Sequence, residues 1–263
     1  MCCLFLITGI ILLSVYIQKI YNIDNYVFDT NVFISFTTIP ERLSSKNFYK
    51  NLKRLISLNK NHILILNLPR VSRKGVKYKI PDNINKLQSK QFFINRVDID
   101  EGPITKLLPS LRNPMIKDND MLIIIDDDHH YKAKTFKILT KLSSKHPDKV
   151  VSFCSDIVRG YQGFSFIKKT MLPILDIKIP KTCVKIDDLV IQQFIKKNKI
   201  PIKVAYYTRY KKPNCIDKFL NNRYCNIKMF KSLNLNLSYK GDNLSLTTNR
   251  ITAGKNCVND LNL

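Results

Sequence analysis

The chain has 263 residues, 44% of them hydrophobic, and a formal net charge of +24 at pH 7. Its 14 Phe and 12 Tyr can build a packed core, while 7 Gly and 11 Pro argue against a fibrous or disordered chain. The charge permits nucleic acid, an anionic membrane or an anionic small substrate as partner. Because the basic residues occur in short pairs and triplets, lysines scattered over a solvated surface are the favoured reading, and no specific nucleic-acid partner is expected.

An apolar segment occupies residues 2–17, with no charge before Lys19. As a helix it would be about 24 Å long, somewhat shorter than the hydrocarbon core of a bilayer. A signal anchor, a cleaved signal peptide and a buried helix all remain open. We expect the first, with residues 1–23 as a single-pass transmembrane helix and residues 24–263 as one domain.

The rest of the chain alternates between short apolar runs, which predict strands, and stretches with helical apolar spacing. The predicted strands lie at residues 32–37, 62–68, 91–97, 121–125 and 150–154. The predicted helices lie at residues 41–58, 104–111, 133–142 and 187–197. This alternation predicts an α/β domain whose mostly parallel sheet carries helices on both faces. The Asn-rich sequence after Asn221 is typical of loops.

Three consecutive aspartates, Asp126, Asp127 and Asp128, follow the fourth predicted strand. Ligands of open α/β sheets bind beyond the carboxyl ends of the strands. Adjacent ionised carboxylates repel one another unless a cation is bound, and hard oxygen ligands suit Mg2+ or Mn2+. An acidic turn that caps the next helix is the alternative. We expect a metal site. His129 and His130 are either further ligands, or residues that face solvent or support the ligands.

Two segments before the aspartates are candidates for contacts with a nucleotide. A Gly-Pro turn opens a helix beside Asp100 and Lys106, and free N–H groups at a helix start attract phosphate. Lys106 can add a positive charge there, and Asp100 can accept a hydrogen bond from a ribose or a base. At the end of the first strand, Thr37, Thr38 and Arg42 offer two hydroxyls and a guanidinium. A capped helix start with a surface lysine is the plainer interpretation of the Gly-Pro segment.

Asp187 and Asp188 precede the last predicted helix and are the candidate catalytic residues. A carboxylate there could face an acceptor hydroxyl as a general base, or could cap the helix. Residues 160–164 combine two glycines with aromatic rings, which could stack on sugars or form a turn.

The seven cysteines include no CxxC pair, so the sequence does not predict a zinc site. A disulfide such as Cys215–Cys225, or one to Cys257, is one interpretation, and buried single thiols are the favoured one.

In this order, the motifs resemble those of nucleotide-sugar glycosyltransferases with the GT-A fold and a DxD motif. The chain is most similar to uncharacterised glycosyltransferase-like proteins of large DNA viruses, algae and bacteria. Their pattern combines T-x-P-x-R, D-x-G-P-x-T-K, an apolar strand ending in D-D-D-x-x-Y, and a later D-D before a helix. Here the resemblance spans residues 32–197 and begins with Thr38, Pro40 and Arg42.

The resemblance implies a GT-A-like (Rossmann-like) fold, a nucleoside-diphosphate sugar donor and Mn2+, or Mg2+, as cofactor. It implies that Asp126 approaches the ribose or the metal, that Asp127 lies on the nucleotide side, and that Asp128 binds the metal. Asp100 and Lys106 would contact the nucleotide.

On the acceptor side, the resemblance places Asp187 or Asp188 near a hydroxyl of a glycan, protein or lipid. One feature departs from the pattern. Many GT-A enzymes take a further metal ligand from a C-terminal histidine, and no histidine follows His146. Water, phosphate oxygens or a residue such as Asp242 would then complete the metal site.

We therefore expect a metal-dependent glycosyltransferase in a secretory-pathway lumen or at a viral or host membrane. Inversion and retention of configuration both remain open. Two alternatives come from other classes. One is a phosphotransferase or nuclease that uses the same aspartates with a metal. The other is a non-enzymatic basic protein that binds nucleic acid or an anionic membrane.

Overall fold

A computed structural model describes residues 30–153, 158–205, 231–232 and 248–261 of the chain. The predicted transmembrane segment at residues 1–23 lies outside these residues, as do Asp242, Cys215 and Cys225. In the described ranges, no helix combines the length and the apolar character needed to cross a bilayer.

The described residues contain a seven-stranded mixed sheet and a two-stranded ribbon. The strands are β1 Val32–Thr37, β2 Ile63–Pro69, β3 Phe92–Val97, β4 Met121–Ile124, β5 His129–His130, β6 Val150–Ser152, β7 Phe164–Ile167, β8 Ile202–Val204 and β9 Lys231–Ser232. The large sheet has the order β3-β2-β1-β4-β7-β6-β8, and β5 pairs with β9. Strand β7 runs antiparallel to β4 and β6, whereas the other pairs of the large sheet are parallel.

Helices and short 3-10 turns connect the strands. The α-helices are α1 Pro40–Leu43, α2 Lys46–Leu58, α3 Asp82–Asn85, α4 Leu108–Arg112, α5 Ala133–Lys145, α6 Lys168–Met171, α7 Asp187–Lys197 and α8 Thr248–Leu261. The 3-10 turns are Gly102–Lys106, Gly160–Gln162, Leu172–Asp176 and Lys181–Cys183.

The core lies on both faces of the sheet because successive side chains of a strand point in opposite directions. Leu122 and Ile124 of β4 belong to one apolar cluster, which also contains residues of α4, α7 and α8. Ile123 and Ile125 belong to a second cluster, which contains residues of α2 and α5. All four residues of β4 are buried, as expected for a central strand between two layers of helices. The predicted α/β class, with a mostly parallel sheet and helices on both faces, is confirmed.

Two predicted helices are each broken in the structure. The first becomes α1 and α2, and Ser45 caps α2 by accepting the N–H of Phe48 at 3.1 Å. The second becomes the turn Gly102–Lys106 followed by α4, and Pro109 lies in the first turn of α4. Because proline has no N–H to donate, a single continuous helix through this position would lose a hydrogen bond.

A disulfide joins Cys183, in the last 3-10 turn, to Cys257 of α8, across 74 positions of sequence. The hydroxyl of Thr182 donates a 2.8 Å hydrogen bond to Asp260 of the same helix. The interpretation that included a disulfide to Cys257 is therefore confirmed, and the favoured interpretation of single thiols is wrong for these two residues. Helix α8 also corrects the prediction that the whole sequence after Asn221 is loop-rich.

The disulfide should contribute strongly to stability. Changing Cys183→Ala together with Cys257→Ala should lower the free energy of unfolding by about 4 kcal/mol, because the unfolded chain regains the entropy of a long loop. Urea unfolding of the oxidised wild type and of the double variant measures the difference. Reductant should destabilise the wild type and leave the variant unchanged. Equal unfolding midpoints for the two oxidised proteins would contradict this role.

Candidate functional site

The three aspartates lie in the turn that follows β4, at the carboxyl edge of the sheet. Asp127 is 4% exposed and points inward. It accepts hydrogen bonds from Arg42 Nη1 at 2.6 Å and from the hydroxyl of Thr38 at 2.5 Å. Burial raises the pKa of Asp127 to about 6, against the opposing charge of Arg42. Asp127 therefore anchors the turn, with its carboxylate turned away from solvent.

Asp126, Asp128 and His129 form a candidate metal centre. Each offers one ligand atom, and these atoms lie within 4.8 Å of one another. The set combines carboxylate oxygens with an imidazole nitrogen, a combination that Mn2+ accepts. His129 Nδ1 lies 2.7 Å from Asp128 Oδ1. The two predicted metal ligands, Asp126 and Asp128, are thus brought together with the further candidate ligand His129.

The charge balance around these residues fits a divalent cation. Five carboxylates, of Asp126, Asp127, Asp128, Asp187 and Asp188, lie in one connected network with the cations Arg42 and Lys106. Although burial alone would raise it, the hydrogen bond from His129 and the charge of Arg42 hold the pKa of Asp128 below its usual value. An ionised Asp128 in a surplus of negative charge is what a metal ligand requires.

Lys106 is buried at the centre of the network. Its side chain lies 2.6 Å from Asp126 Oδ1 and 2.6 Å from Asp187 Oδ2, and the residue is 3% exposed. Burial alone would lower the pKa of Lys106, but the charges of Asp126 and Asp187 hold it well above the usual value. The ammonium group therefore joins the aspartate turn to the start of α7. Its predicted contact with the nucleotide stays a prediction.

Polar side chains beneath Lys106 hold its backbone in place. The hydroxyl of Ser35, on β1, donates to the Lys106 carbonyl at 2.5 Å. The amide of Asn67, on β2, donates to Ser35 Oγ at 2.9 Å and to Ser110 Oγ at 3.0 Å. All four residues are buried, and hydrogen-bonded polar groups in a core specify one arrangement of the elements that they join.

Gly160 packs directly against the Lys106–Asp126 ion pair. A Cβ at this position would lie 2.7 Å from Asp126 Oδ1 and closer still to Lys106 Nζ. The Gly160 N–H donates to Asp188 Oδ1 at 2.9 Å. The hydroxyl of Tyr131 accepts the Asp126 N–H at 3.0 Å and donates to the Tyr161 carbonyl at 3.0 Å. Residues 160 and 161 therefore connect the aspartate turn to α7 through backbone contacts. A side chain at position 160 would block these contacts.

Helix α2 supports the aspartate turn from the face of the sheet opposite to α7. The amide of Asn51 donates to the Asp127 carbonyl at 3.0 Å. Arg54 donates to the Tyr131 carbonyl at 2.6 Å and to Asn51 Oδ1 at 2.9 Å. The sequence-based prediction missed both residues. Asn51 could have been noticed, because it is a polar residue at a position of α2 where the helical spacing predicts a buried apolar side chain.

Two predicted nucleotide-binding residues lie outside the network. The hydroxyl of Thr37 donates to the Asn67 carbonyl at 2.8 Å. Asp100 accepts the N–H groups of Gly102 and Arg73, both at 2.8 Å. These contacts organise the local loops, and contacts of Thr37 and Asp100 with a nucleotide stay predictions. Tyr131 is fully buried, and its ring lies 5.9 Å from that of Phe136 of α5.

No protein-family model and no curated protein matches the sequence. Among solved structures, the chain is similar to a 4-diphosphocytidyl-2C-methyl-D-erythritol synthase, at 7% identity and a TM-score of 0.48, over 73% of this chain and 96% of that one. It is also similar to a mannosyltransferase from Pyrobaculum calidifontis in complex with GDP-Man and Mn2+. That match has 11% identity and a TM-score of 0.41, over 60% of this chain and 52% of the other. Similarities of this size define no activity for the chain.

Gly160 offers a direct test of the packing around Lys106. Changing Gly160→Ala should weaken Mn2+ binding by about tenfold or more, because the new methyl group displaces Lys106 and Asp126. Calorimetric titration with Mn2+ measures the affinity. The matched control is Gly254→Ala on α8, where a Cβ would meet Leu189 at an ordinary 3.9 Å. Equal Mn2+ affinities for the two variants would contradict the predicted clash.

Asp188 should make stability depend on pH in the metal-free protein. Burial raises its pKa to about 7, and the charge of Asp187 adds to the rise. An unfolded aspartate titrates at about 3.9, so between these values the folded state holds a proton that the unfolded state has lost. Stability relative to Asp188→Asn should therefore fall as the pH rises from about 4 to about 7, and then level off.

Urea unfolding of the wild type and of Asp188→Asn in EDTA, across this pH range, measures the difference. The asparagine keeps an oxygen that can accept the Gly160 N–H, so the variant removes the titration and preserves the contact. A stability difference that stays constant with pH would contradict the raised pKa.

Proposed function

We propose that this protein is a metal-dependent glycosyltransferase that moves a sugar from a nucleoside-diphosphate sugar to a hydroxyl of a glycan, protein or lipid. The observation that carries the proposal is the grouping of Asp126, Asp128 and His129 at the carboxyl end of the central strand β4. Ligands of open α/β sheets bind at this edge. The acidic motif and the neighbouring Thr38, Arg42 and Lys106 match the order of motifs in the resemblance described above.

In this proposal, some residues bind the metal and others orient the metal ligands. Asp126 and Asp128, with His129, would hold Mn2+ or Mg2+, which supplies positive charge to stabilise the departing diphosphate. Arg42 fixes Asp127 and lies 3.3 Å from Asp128 Oδ2, so it orients one of the metal ligands. Lys106 fixes Asp126 in the same way. The site is therefore preorganised by ion pairs within the protein.

Of the two candidate catalytic carboxylates, Asp188 is the better placed to face an acceptor. Asp187 is 9% exposed and paired with Lys106. Asp188 is more exposed, and its Oδ2 makes no hydrogen bond to a described residue. In a reaction that inverts configuration, Asp188 would take the proton of the acceptor hydroxyl. A pKa of about 7, which a bound divalent cation would lower, suits a general base at physiological pH.

The compartment is part of the proposal. Disulfides form and persist in oxidising environments, so the Cys183–Cys257 bond supports a lumenal or extracellular location for the domain. A single membrane segment at residues 1–23 agrees with such a location and stays a prediction.

The activity is tested with the full-length protein and a panel of nucleoside-diphosphate sugars. Release of nucleoside diphosphate should require Mn2+ or Mg2+ for at least one donor. Changing Asp126→Asn together with Asp128→Asn should abolish it, because the metal loses both carboxylate ligands. Circular dichroism should show that the double variant stays folded.

The matched control is Asp118→Asn together with Asp148→Asn, which removes two exposed carboxylates from the opposite edge of the sheet. It should keep full activity. A folded wild type that releases no diphosphate from any donor would refute the proposal. Metal-dependent cleavage of nucleic acid that needs Asp126 and Asp128 would assign the site to a nuclease instead.

A further inference from the structure

A β-hairpin projects from the carboxyl edge of the sheet directly after β2. Val71 pairs antiparallel with Lys77, and the Ser72 N–H donates to the Val76 carbonyl at 2.8 Å. The N–H of Tyr78 donates to the Arg70 carbonyl at 3.1 Å and closes the hairpin. Residues 70–79, which we call the basic hairpin, therefore have a defined shape.

The basic hairpin carries a high density of exposed cations and contains no acidic residue. Its exposed cations are Arg70, Arg73, Lys74, Lys77 and Lys79. It also exposes two aliphatic side chains, Val71 at 39% and Val76 at 45%. Among the described residues, five large hydrophobic side chains are exposed, and two of them lie in this one small hairpin. Because Val71 pairs with Lys77 and Ser72 with Val76, the hairpin exposes one aliphatic side chain on each of its faces. Isolated exposed hydrophobics are ordinary, but their grouping with cations marks an interaction surface.

A third exposed hydrophobic residue, Ile99, lies between two residues that contact the hairpin. Ile99 is 71% exposed. Asp98 accepts a hydrogen bond from Arg70 Nε at 3.0 Å, and Asp100 accepts the Arg73 N–H at 2.8 Å. These two carboxylates reduce the net charge of the surface from +5 to +3, by subtraction of two from the five cations of the hairpin.

We propose that the basic hairpin and Ile99 form a surface that docks on an anionic lipid bilayer. Lysine and arginine are attracted to anionic headgroups, and aliphatic side chains beside them can enter the interface between headgroups and acyl chains. Nucleic acid or an acidic glycan would use the cations but would leave the three aliphatic side chains in water. The lipid surface is therefore the partner that uses both kinds of residue.

The docking surface is next to the candidate active site. Tyr78, at the end of the hairpin, donates its hydroxyl to the Thr38 carbonyl at 3.0 Å. The Thr38 side chain in turn contacts Asp127. Docking would thus hold the carboxyl edge of the sheet near the bilayer, through contacts separate from residues 1–23. If the proposed function holds, an acceptor carried by the membrane would be within reach, and this last step alone rests on that function.

The test uses the absence of tryptophan from the chain. Changing Val76→Trp in the full-length protein places a single indole on the hairpin. Its emission should shift to shorter wavelength on vesicles of phosphatidylcholine with about one third phosphatidylglycerol, because the ring enters a less polar medium. Vesicles of phosphatidylcholine alone should give a much smaller shift. The control is Met115→Trp, which labels another exposed position, in the turn that precedes β4.

The cations are tested in the Val76→Trp background. Changing Arg73→Gln, Lys74→Gln and Lys77→Gln should weaken binding to the anionic vesicles by about fivefold for each cation removed. A matched variant removes three exposed lysines of α5 instead, and should bind as before. Its changes are Lys137→Gln, Lys141→Gln and Lys145→Gln.

The measurement is made in EDTA and without donor, so its outcome is independent of any transferase activity. No shift on anionic vesicles, or equal shifts for Val76→Trp and Met115→Trp, would overturn the proposal. A response of the hairpin tryptophan to heparin or single-stranded DNA, without a response to vesicles, would overturn it in favour of a polyanionic partner.

Discussion

The buried ammonium group of Lys106 is the interaction on which the rest of the site depends. It lies between Asp126, after the central strand, and Asp187, at the start of α7, with one short contact to each. An unpaired buried charge is strongly destabilising, so Lys106, which is 3% exposed, needs these two aspartates in the native fold. The lysine therefore sets the distance between the aspartate turn and the start of α7, which are more than fifty residues apart in sequence.

Among the described residues, the network contains more carboxylates than cations. Arg42 and Lys106 offset part of the charge of five carboxylates, and burial raises the pKa of Asp127 and of Asp188. Repulsion between the ionised carboxylates therefore lowers the stability of the folded metal-free protein at neutral pH. A bound divalent cation would reduce this repulsion, so cation binding and the stability of the fold are thermodynamically linked.

The sequence predicted the features that depend on local pattern. Apolar runs located β1 to β4 and β6, but not the three-residue parallel edge strand β8, and strand ends located Thr38, Arg42 and the three aspartates. The remaining features depend on contacts between distant segments. A lysine after a Gly-Pro turn looks like a phosphate ligand until the fold places Asp126 and Asp187 beside it. The strand β7 has four residues, all buried, which is too short a stretch to establish a strand period. Its antiparallel direction comes from the pairing with β4, which no local pattern encodes.

The Cys183–Cys257 bond has a topological consequence as well as an energetic one. It closes residues 183–257 into a covalent loop, and that loop contains α7, with Asp187 and Asp188, and the edge strand β8. A single protease cut anywhere inside the loop would leave both fragments joined through sulfur. Helix α8 would then stay attached to the part of the chain that contains β1 to β4. A nicked form would run as one species without reductant and as two with it.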